Sequence, residues 1–587
     1  MNSAWIGSSK IWKDVSCSPI NHACFILTTS GELYTFNLEG PLSNHQALRL
    51  ELNGSEALAW GALEAGVQFV TGYPGSPGTG IVDALLRINH PNIRIEWGSS
   101  ERSAFDAAFG FALAGVRSLV CFKSVGLNVA LDSLMTCNYS GSEAGFVILT
   151  GDDPGGWGSQ NEEDSRPLIA AAEVPLLEPT SVAEGRSVMC QAFELSERYK
   201  VPVVVRITYP FSKDQELVEI PAVPALRQAS FQREHNRWVV LPYNVINLHA
   251  RLQETLASVQ EEFEAWPVNQ AEGQGQLGII APGQAYQKLV RILHANGHPA
   301  RILRLGTLHP LPEKRITAFL REVDAVLVVE EIAPFLEFQV QVIAQRAGLT
   351  LPVYGRKSGH LPGAGELFAQ HVAAALVRFL PGWVSPSFER RIPKMISQEP
   401  LCEGCPYIPG FSALAAVMER HGGRDAFIIT GEAGCMVRAQ VTPMPILDVK
   451  YALGSSIGLG AGLARAGLYQ QMISLVGDSA FIHTGIGELI DAVHSGVKLL
   501  VVILDNATSA ISGGQPHPGT AYDLQGRARR PVDIVALARA AGVEHIRVVD
   551  PNDRLATEQA YTDSLATGGV TVVILRDPCP YFLIKPA

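Results

Sequence analysis

Asp478 and Asn506 close two apolar runs, MISLVG and KLLVVILD, and the segment ELIDAVHSG lies between them. A carboxylate and an amide at the ends of adjacent parallel strands, a crossover helix apart, put two hard oxygen donors at one sheet edge, which suits Mg²⁺ and a phosphate-bearing ligand. Gly477, Gly485 and Gly487 let the backbone approach such phosphates closely. An ordinary strand-helix-strand unit with polar strand ends has the same spacing. A second reactive set is made of cysteines. Cys402 and Cys405 form a C-x-x-C in LCEGCP, with Cys435 in TGEAGCM and Cys579 in ILRDPCP. Zinc, an iron-sulfur cluster or a redox dithiol would each suit the pair, and lone cysteines are often small buried hydrophobes. Glu101 opens a helix directly after IRIEWGSS. There it is either a first-turn acid stabilising the helix N-terminus or a positioned carboxylate for acid-base chemistry.

The elements that must hold these residues are α/β in type. At 587 residues the chain exceeds what one core supports. Its 47% hydrophobic and 18% charged residues are those of a globular protein built from sheets covered by helices. Residues 1–50 read as a two-strand extension, CFILTTSGELYTFNL, with no evident chemistry. Alternating strands and helices fill 51–215, an irregular Pro-rich connector is expected over 216–275, a second α/β unit over 276–385 and a third over 386–587. A net charge of −11 without a long basic tract argues against a phosphate-backbone partner, so no nucleic acid is expected. No apolar run is long enough to span a bilayer, the N-terminus MNSAWIGSSKIWKDV lacks a signal-peptide layout, and the nine cysteines lean towards ligation or catalysis in a reducing compartment. A cytoplasmic protein is expected.

The motif G-D-x, 26 residues and then Asn resembles the metal clamp of enzymes that use thiamine diphosphate (ThDP). ALGSSIGLGAGLARA before it, SGGQPHPGT after it, GYPGSPGTGI, Glu101, VGLNVALDSLM, GDDPGGWGSQNEEDSR, LVVEEIAPFLEFQV and GHLPGAGEL extend the likeness over about residues 53–587. Together they resemble the α subunit of the indolepyruvate:ferredoxin oxidoreductases, within the 2-oxoacid:ferredoxin oxidoreductase family. The resemblance implies two doubly wound parallel-sheet cofactor domains, one binding the pyrimidine and one the diphosphate, with a transketolase-C-terminal-like α/β domain between them. It implies Mg²⁺ on Asp478, Asn506 and the carbonyl of Thr508, with Gly454, Gly477, Ser479, Ser512 and Gly513 around the diphosphate. It also implies that Glu101 activates the aminopyrimidine. Tyr73, Pro74 and Ser76 map to the active-site lip, Ser76 where relatives usually carry Thr. Ser124 stands where they tend to carry His, so substrate orientation or proton transfer is expected to differ there. His483 resembles a position near phosphates or substrate, and a distant polar role fits it equally. His517 belongs to a loop that in relatives covers the cofactor, though its flanking prolines also suit a plain loop.

The same resemblance assigns Cys402, Cys405, Cys435 and Cys579 to a four-iron, four-sulfur cluster. Tyr407 replaces a common His beside them. Ile511 occupies a position that is apolar in indolepyruvate-type relatives. The implied activity is oxidative decarboxylation of an aryl or branched 2-oxoacid with coenzyme A, giving acyl-CoA, CO₂ and two electrons for ferredoxin or a similar carrier. A smaller γ- or β-type subunit and a homodimer of this chain within a heteromer are implied as well. The chain ends with PYFLIKPA, where relatives continue into a ferredoxin-like tail. Electrons are therefore expected to pass directly to a partner or a soluble carrier, or electron transfer has been repurposed. The alternative is a non-oxidative ThDP-dependent decarboxylase or carboligase.

Overall fold

The computed structural model describes residues 49–220, 223–294, 300–386, 399–441 and 445–582, together with the strands Trp12–Ser18, Ala23–Thr28 and Leu33–Asn37. Those three strands form an antiparallel sheet, one strand more than the two-strand reading of 1–50. The extra strand, WKDVSCS, has a register shift between Trp12 and Asp14, and its alternation is correspondingly weak in the sequence.

The chain divides into two compact units, the second made mainly of residues 393–587. In the first unit a seven-stranded sheet runs in the order Thr307–His309, Leu176–Leu177, Val203–Thr208, Phe146–Asp152, Ser118–Lys123, Phe69–Gly72, Arg94–Trp97. The pairs formed by Leu176–Leu177, Val203–Thr208, Phe146–Asp152, Ser118–Lys123 and Phe69–Gly72 are parallel. Thr307–His309 adds antiparallel to Leu176–Leu177. The helix Gly54–Glu64 starts on a capping box in which Asn53 Oδ1 accepts the Glu56 N–H and Glu56 Oε2 accepts the Asn53 N–H, both at 3.0 Å. Its small-residue face meets the helix Val182–Tyr199 so closely that a Cβ on Gly61 would overlap the Arg186 carbonyl.

A five-stranded sheet in the same unit has the order Gln270–Glu272, Arg301–Leu305, Leu277–Pro282, Ala325–Val328, Val353–Tyr354, parallel apart from its first strand. Between the two sheets in sequence, the stretch expected to be irregular contains the 20-residue helix Val245–Glu264. Leu248, Leu252, Leu256, Val259 and Phe263 are buried along it at helical spacing, a pattern that surrounding Pro and polar clusters obscure.

The second unit is a six-stranded, wholly parallel sheet: Val449–Lys450, Phe427–Gly431, Gln471–Gly477, Leu499–Asp505, Val570–Arg576, His545–Val549. Its central strands are buried along almost their whole length, as a sheet covered on both faces requires. Among the described residues no helix is long and apolar enough to cross a membrane.

A buried ionic lattice fixes the loops at the strand ends of the first unit. Arg166, fully buried, pairs with Asp164 at 2.6 Å and Glu330 at 2.8 Å, and donates to the carbonyls of Glu331 (2.8 Å) and Ala333 (3.0 Å). Arg206 pairs with Asp152 and Glu178, each at 2.7 Å. Arg166→Met leaves Glu330 and Asp164 buried without their cation. It is expected to destabilise the first unit by about 3–5 kcal/mol, read as a shift of its transition in urea unfolding.

Candidate active site

In the first unit, the strand Phe69–Gly72 runs into a loop carrying Tyr73, Pro74 and Ser76. Tyr73 is buried and Ser76 exposed. The loop lies over the neighbouring strand ends because its glycines permit it: a Cβ on Gly78 would sit 2.6 Å from the Phe122 carbonyl oxygen, and one on Gly75 would sit 3.0 Å from Lys123 Cβ. The Gly75 N–H donates to Thr79 Oγ1 at 2.7 Å, which holds the turn.

Glu101 begins the helix Glu101–Leu113 and is buried. Gly126 makes room for it, since a Cβ there would fall 2.7 Å from Glu101 Cγ and 2.9 Å from its Oε1. Ser124, the first residue of the helix Ser124–Ser140, is fully buried and its Oγ has no hydrogen-bond partner. The parallel sheet thus gathers the loop, Glu101 and Ser124 at the carboxyl ends of its strands, where open α/β sheets bind ligands.

In the second unit, Gly477 pairs in register with Leu504 across two adjacent parallel strands, which places Asp478 and Asn506 at the same edge. Asp478, Asn506 and Thr508 are all buried. Ala507 adopts a left-handed conformation, φ 59°, and turns the chain between Asn506 and Thr508. Asp478 Oδ1 accepts the Ser479 N–H at 2.7 Å, and Ser509 Oγ donates to Ser479 Oγ at 3.0 Å, tying the two strand-end turns together. Asp478 Oδ2 has no hydrogen-bond partner. His517 Nε2 stands 3.2 Å from it, off line for a hydrogen bond. His517 Nδ1 accepts the Gly519 N–H at 3.1 Å, so a neutral ring carries its proton on Nε2. A buried carboxylate oxygen without a bonded donor, beside an amide and a turned backbone, matches what Mg²⁺ asks of its ligands.

The remaining sequence candidates flank this edge. Gly454, φ 79°, abuts Thr484, and any side chain there would overlap the threonine hydroxyl. His483 lies on a single π-helical turn, Phe481–Gly485, between Asp478 and the crossover helix Ile486–His494. Such turns concentrate at functional sites. Ser512 Oγ lies within hydrogen-bond reach of Gln515 Oε1 (2.7 Å) and the Ser509 carbonyl (3.1 Å), its one proton serving either, and Gly513 takes φ 119° beside it. Ile511 is exposed on the same turn.

One residue escaped the sequence reading. Glu432 follows the strand Phe427–Gly431, is fully buried, and accepts the N–H groups of Gly477 (2.9 Å) and Gly454. Burial pushes its carboxyl up to about 8 against the pull of those two amides, with Glu488 and Asp478 adding to the rise. The available signal was a charged residue immediately after an apolar strand, three residues before Cys435.

The four cysteines are unpaired. Cys402 is exposed and its Sγ accepts from Arg438 Nη1 at 3.5 Å, while the Cys405 N–H donates to the Cys402 carbonyl at 3.1 Å. Burial pushes the Cys435 thiol up to about 12 and the Cys405 thiol up to about 11, and Cys402 and Cys579 add to both. Mutual electrostatic influence puts all four in one neighbourhood. The Cys579 N–H donates to the Asn506 carbonyl at 3.0 Å, so this neighbourhood adjoins the Asp478–Asn506 edge. Tyr407, buried, donates to the Leu504 carbonyl at 3.2 Å. Among the described residues no three His, Cys, Asp or Glu side chains converge on a point that one metal ion could occupy. An iron-sulfur cluster makes a different demand, because each thiolate binds its own iron and the four need not converge.

Residues 60–258 match the family model described as pyruvate flavodoxin/ferredoxin oxidoreductase, thiamine diP-bdg, and residues 413–575 match that of the thiamine pyrophosphate enzyme, C-terminal TPP binding domain. The indolepyruvate oxidoreductase subunit IorA of Archaeoglobus fulgidus is 35% identical over 544 residues, 90% of this chain and 86% of that protein. This chain belongs to that family. The IorA subunit of Methanothermobacter thermautotrophicus is 35% identical over 553 residues, 92% of this chain and 88% of the relative, and that of Thermococcus kodakarensis 33% over 567 residues, 91% and 86%. The chain is therefore an enzyme subunit of the 2-oxoacid oxidoreductase class, and its thiamine diphosphate domains are those that hold Glu101 and Asp478.

Exposure and burial order the thiols by reactivity in metal-free protein. Iodoacetamide at about pH 8 is expected to label Cys402 first, with Cys405 and Cys435 slower because little of either is thiolate there. Peptide mass mapping reads the order, and equal rates would contradict the burial described.

Proposed function

We propose that the chain is the catalytic α-type subunit of an indolepyruvate-like 2-oxoacid oxidoreductase, which converts an aryl or branched 2-oxoacid and coenzyme A to acyl-CoA, CO₂ and two electrons. The observation that carries the oxidative part is the Cys579 amide hydrogen-bonded to the Asn506 carbonyl: it joins a four-thiol set to the strand edge suited to a metal-diphosphate. Decarboxylation alone needs no such neighbour.

When bound, thiamine diphosphate supplies the nucleophilic carbon and electron sink that let a 2-oxoacid lose CO₂, and a four-iron, four-sulfur cluster removes the electrons singly. The chain's residues bind and orient. In this reading Asp478 Oδ2, Asn506 and the Thr508 carbonyl hold Mg²⁺, and Gly454, Gly477, Ser479, Ser512 and Gly513 surround the diphosphate. Glu101, kept in place by Gly126, shares its proton with the ring nitrogen of the aminopyrimidine and sets that ring's tautomer. Ser124 offers a hydroxyl that is buried and unpartnered, available to a substrate oxygen. Tyr73, Pro74 and Ser76 form the lip, and His483 and His517 stand ready as proton carriers near the diphosphate. Cys402, Cys405, Cys435 and Cys579 ligate the cluster. The Tyr407 phenol is engaged by Leu504, so it gives the cysteines no hydrogen bond, and Ile511 favours a large apolar substrate. The reading includes a smaller partner subunit, a homodimer of this chain within the heteromer, ferredoxin or a similar carrier, and a cytoplasmic setting.

The test is anaerobic reduction of a viologen dye by indolepyruvate and coenzyme A, using the chain co-expressed with its partner subunit, alongside iron and sulfide analysis. Dye reduction and about four irons per chain are expected for a single such cluster. An aldehyde or acyloin formed without dye reduction would replace the proposal with the non-oxidative alternative. Glu101→Gln should lower kcat by roughly 10²–10⁴-fold with ThDP still bound.

A further inference from the structure

Glu432 has no part in the chemistry above. Both its oxygens are engaged by backbone, Oε1 by the Gly477 N–H at 2.9 Å and Oε2 by the Gly454 N–H. The side chain is fully buried, and the charged groups that act on it are Asp478, Glu488 and, from the strand Val449–Lys450, Lys450. No cation is hydrogen-bonded to it among the described residues. A fully buried carboxyl group without a bonded cation is a costly way to fill space, whether it is charged or holds its proton, and an apolar or amide side chain would pack there at lower cost.

The carboxyl group does what those side chains cannot: its two oxygens accept from two separate turns at once. Gly477 immediately precedes Asp478. Gly454 precedes the helix Ser456–Arg465 and is wedged against Thr484 of the π-helical turn, whose Oγ1 donates to the Leu453 carbonyl at 3.1 Å. One side chain therefore sets the spacing of three segments around the Asp478 edge. At the first turn of that helix, Ser456 Oγ is fully buried with no partner.

We propose that Glu432 is a positioning residue for the metal-diphosphate. It ties the Gly454 and Gly477 turns together, so that the pocket for the diphosphate is formed before the cofactor arrives. The inference rests on the thiamine diphosphate reading above. A pocket formed in advance lowers the cost of binding and leaves the later chemical step untouched.

Glu432→Gln keeps the shape but presents an NH₂ to one of the two amides, releasing one turn. In calorimetric titration of the full chain with ThDP and Mg²⁺, without substrate, its dissociation constant should rise about 10–100-fold, the range for groups that orient metal ligands. Glu432→Asp, one methylene short, reaches only one turn and should fall between wild type and Glu432→Gln. At saturating ThDP both variants should keep kcat within about threefold of wild type, so that the defect is one of affinity. Unchanged cofactor affinity in Glu432→Gln would overturn the proposal. So would loss of far-ultraviolet circular dichroism in both variants, which would make the residue a folding element. If wild type binds no ThDP, the parent reading fails together with this one. If wild type binds it and Glu432→Gln binds equally well, only this inference fails.

Discussion

The chain leaving the strand Val570–Arg576 stays zipped to the chain leaving Leu499–Asp505, and the functional half of the second unit depends on that continuation. Arg576 pairs with Asp505 at 2.7 Å, the Asp577 N–H donates to the Asp505 carbonyl at 3.2 Å, and the Cys579 N–H donates to the Asn506 carbonyl at 3.0 Å. Parallel strands normally diverge where their ladder stops, because each continues into its own crossover. Here two backbone bonds carry the pairing beyond the last ladder pair, Asp505 with Arg576, and set a cysteine against the backbone of Asn506. The C-x-x-C is tied to the same strand, since Tyr407, two residues after Cys405, donates to the Leu504 carbonyl.

The two units solve the cost of buried charge differently. In the first, Arg166 and Arg206 each meet two carboxylates, so the cost of removing these groups from water is offset by close opposite charge. In the second, Asp478 and Glu432 are buried without a bonded cation, and backbone amides take part of the load. For Glu432 burial is met instead by a carboxyl pushed up to about 8, which holds the proton longer than an exposed group would. Glycine makes part of the second arrangement possible: Gly454 takes a left-handed φ of 79° and sits where any side chain would overlap the Thr484 hydroxyl.

The alternation of strands and helices was legible in the sequence, because buried parallel strands read as continuous runs of Val, Ile and Leu. The Asp478–Asn506 edge was legible for the same reason, a polar residue at the end of such a run. The helix Val245–Glu264 was hidden by neighbouring Pro and polar clusters. The strand Thr307–His309 was hidden by its length, three residues, and by a partner, Leu176–Leu177, far away in the chain. Glu432 went unnoticed because its role lies in accepting from two backbone amides, and no spacing of side-chain types encodes that.

By itself the sequence determined the class of fold, the candidate ligands of metal and cluster, and the likeness to indolepyruvate oxidoreductases, all of which follow from residue types in short local patterns. Only the tertiary structure decided that Cys579 borders Asn506, that His517 faces the unpaired oxygen of Asp478, that Gly126 must be bare to admit Glu101, and that Glu432 ties Gly454 to Gly477. Each of these is a contact between segments far apart in sequence or hidden in backbone geometry. Long-range register and the direction of a backbone N–H are fixed by packing the whole sheet, so no short stretch contains them.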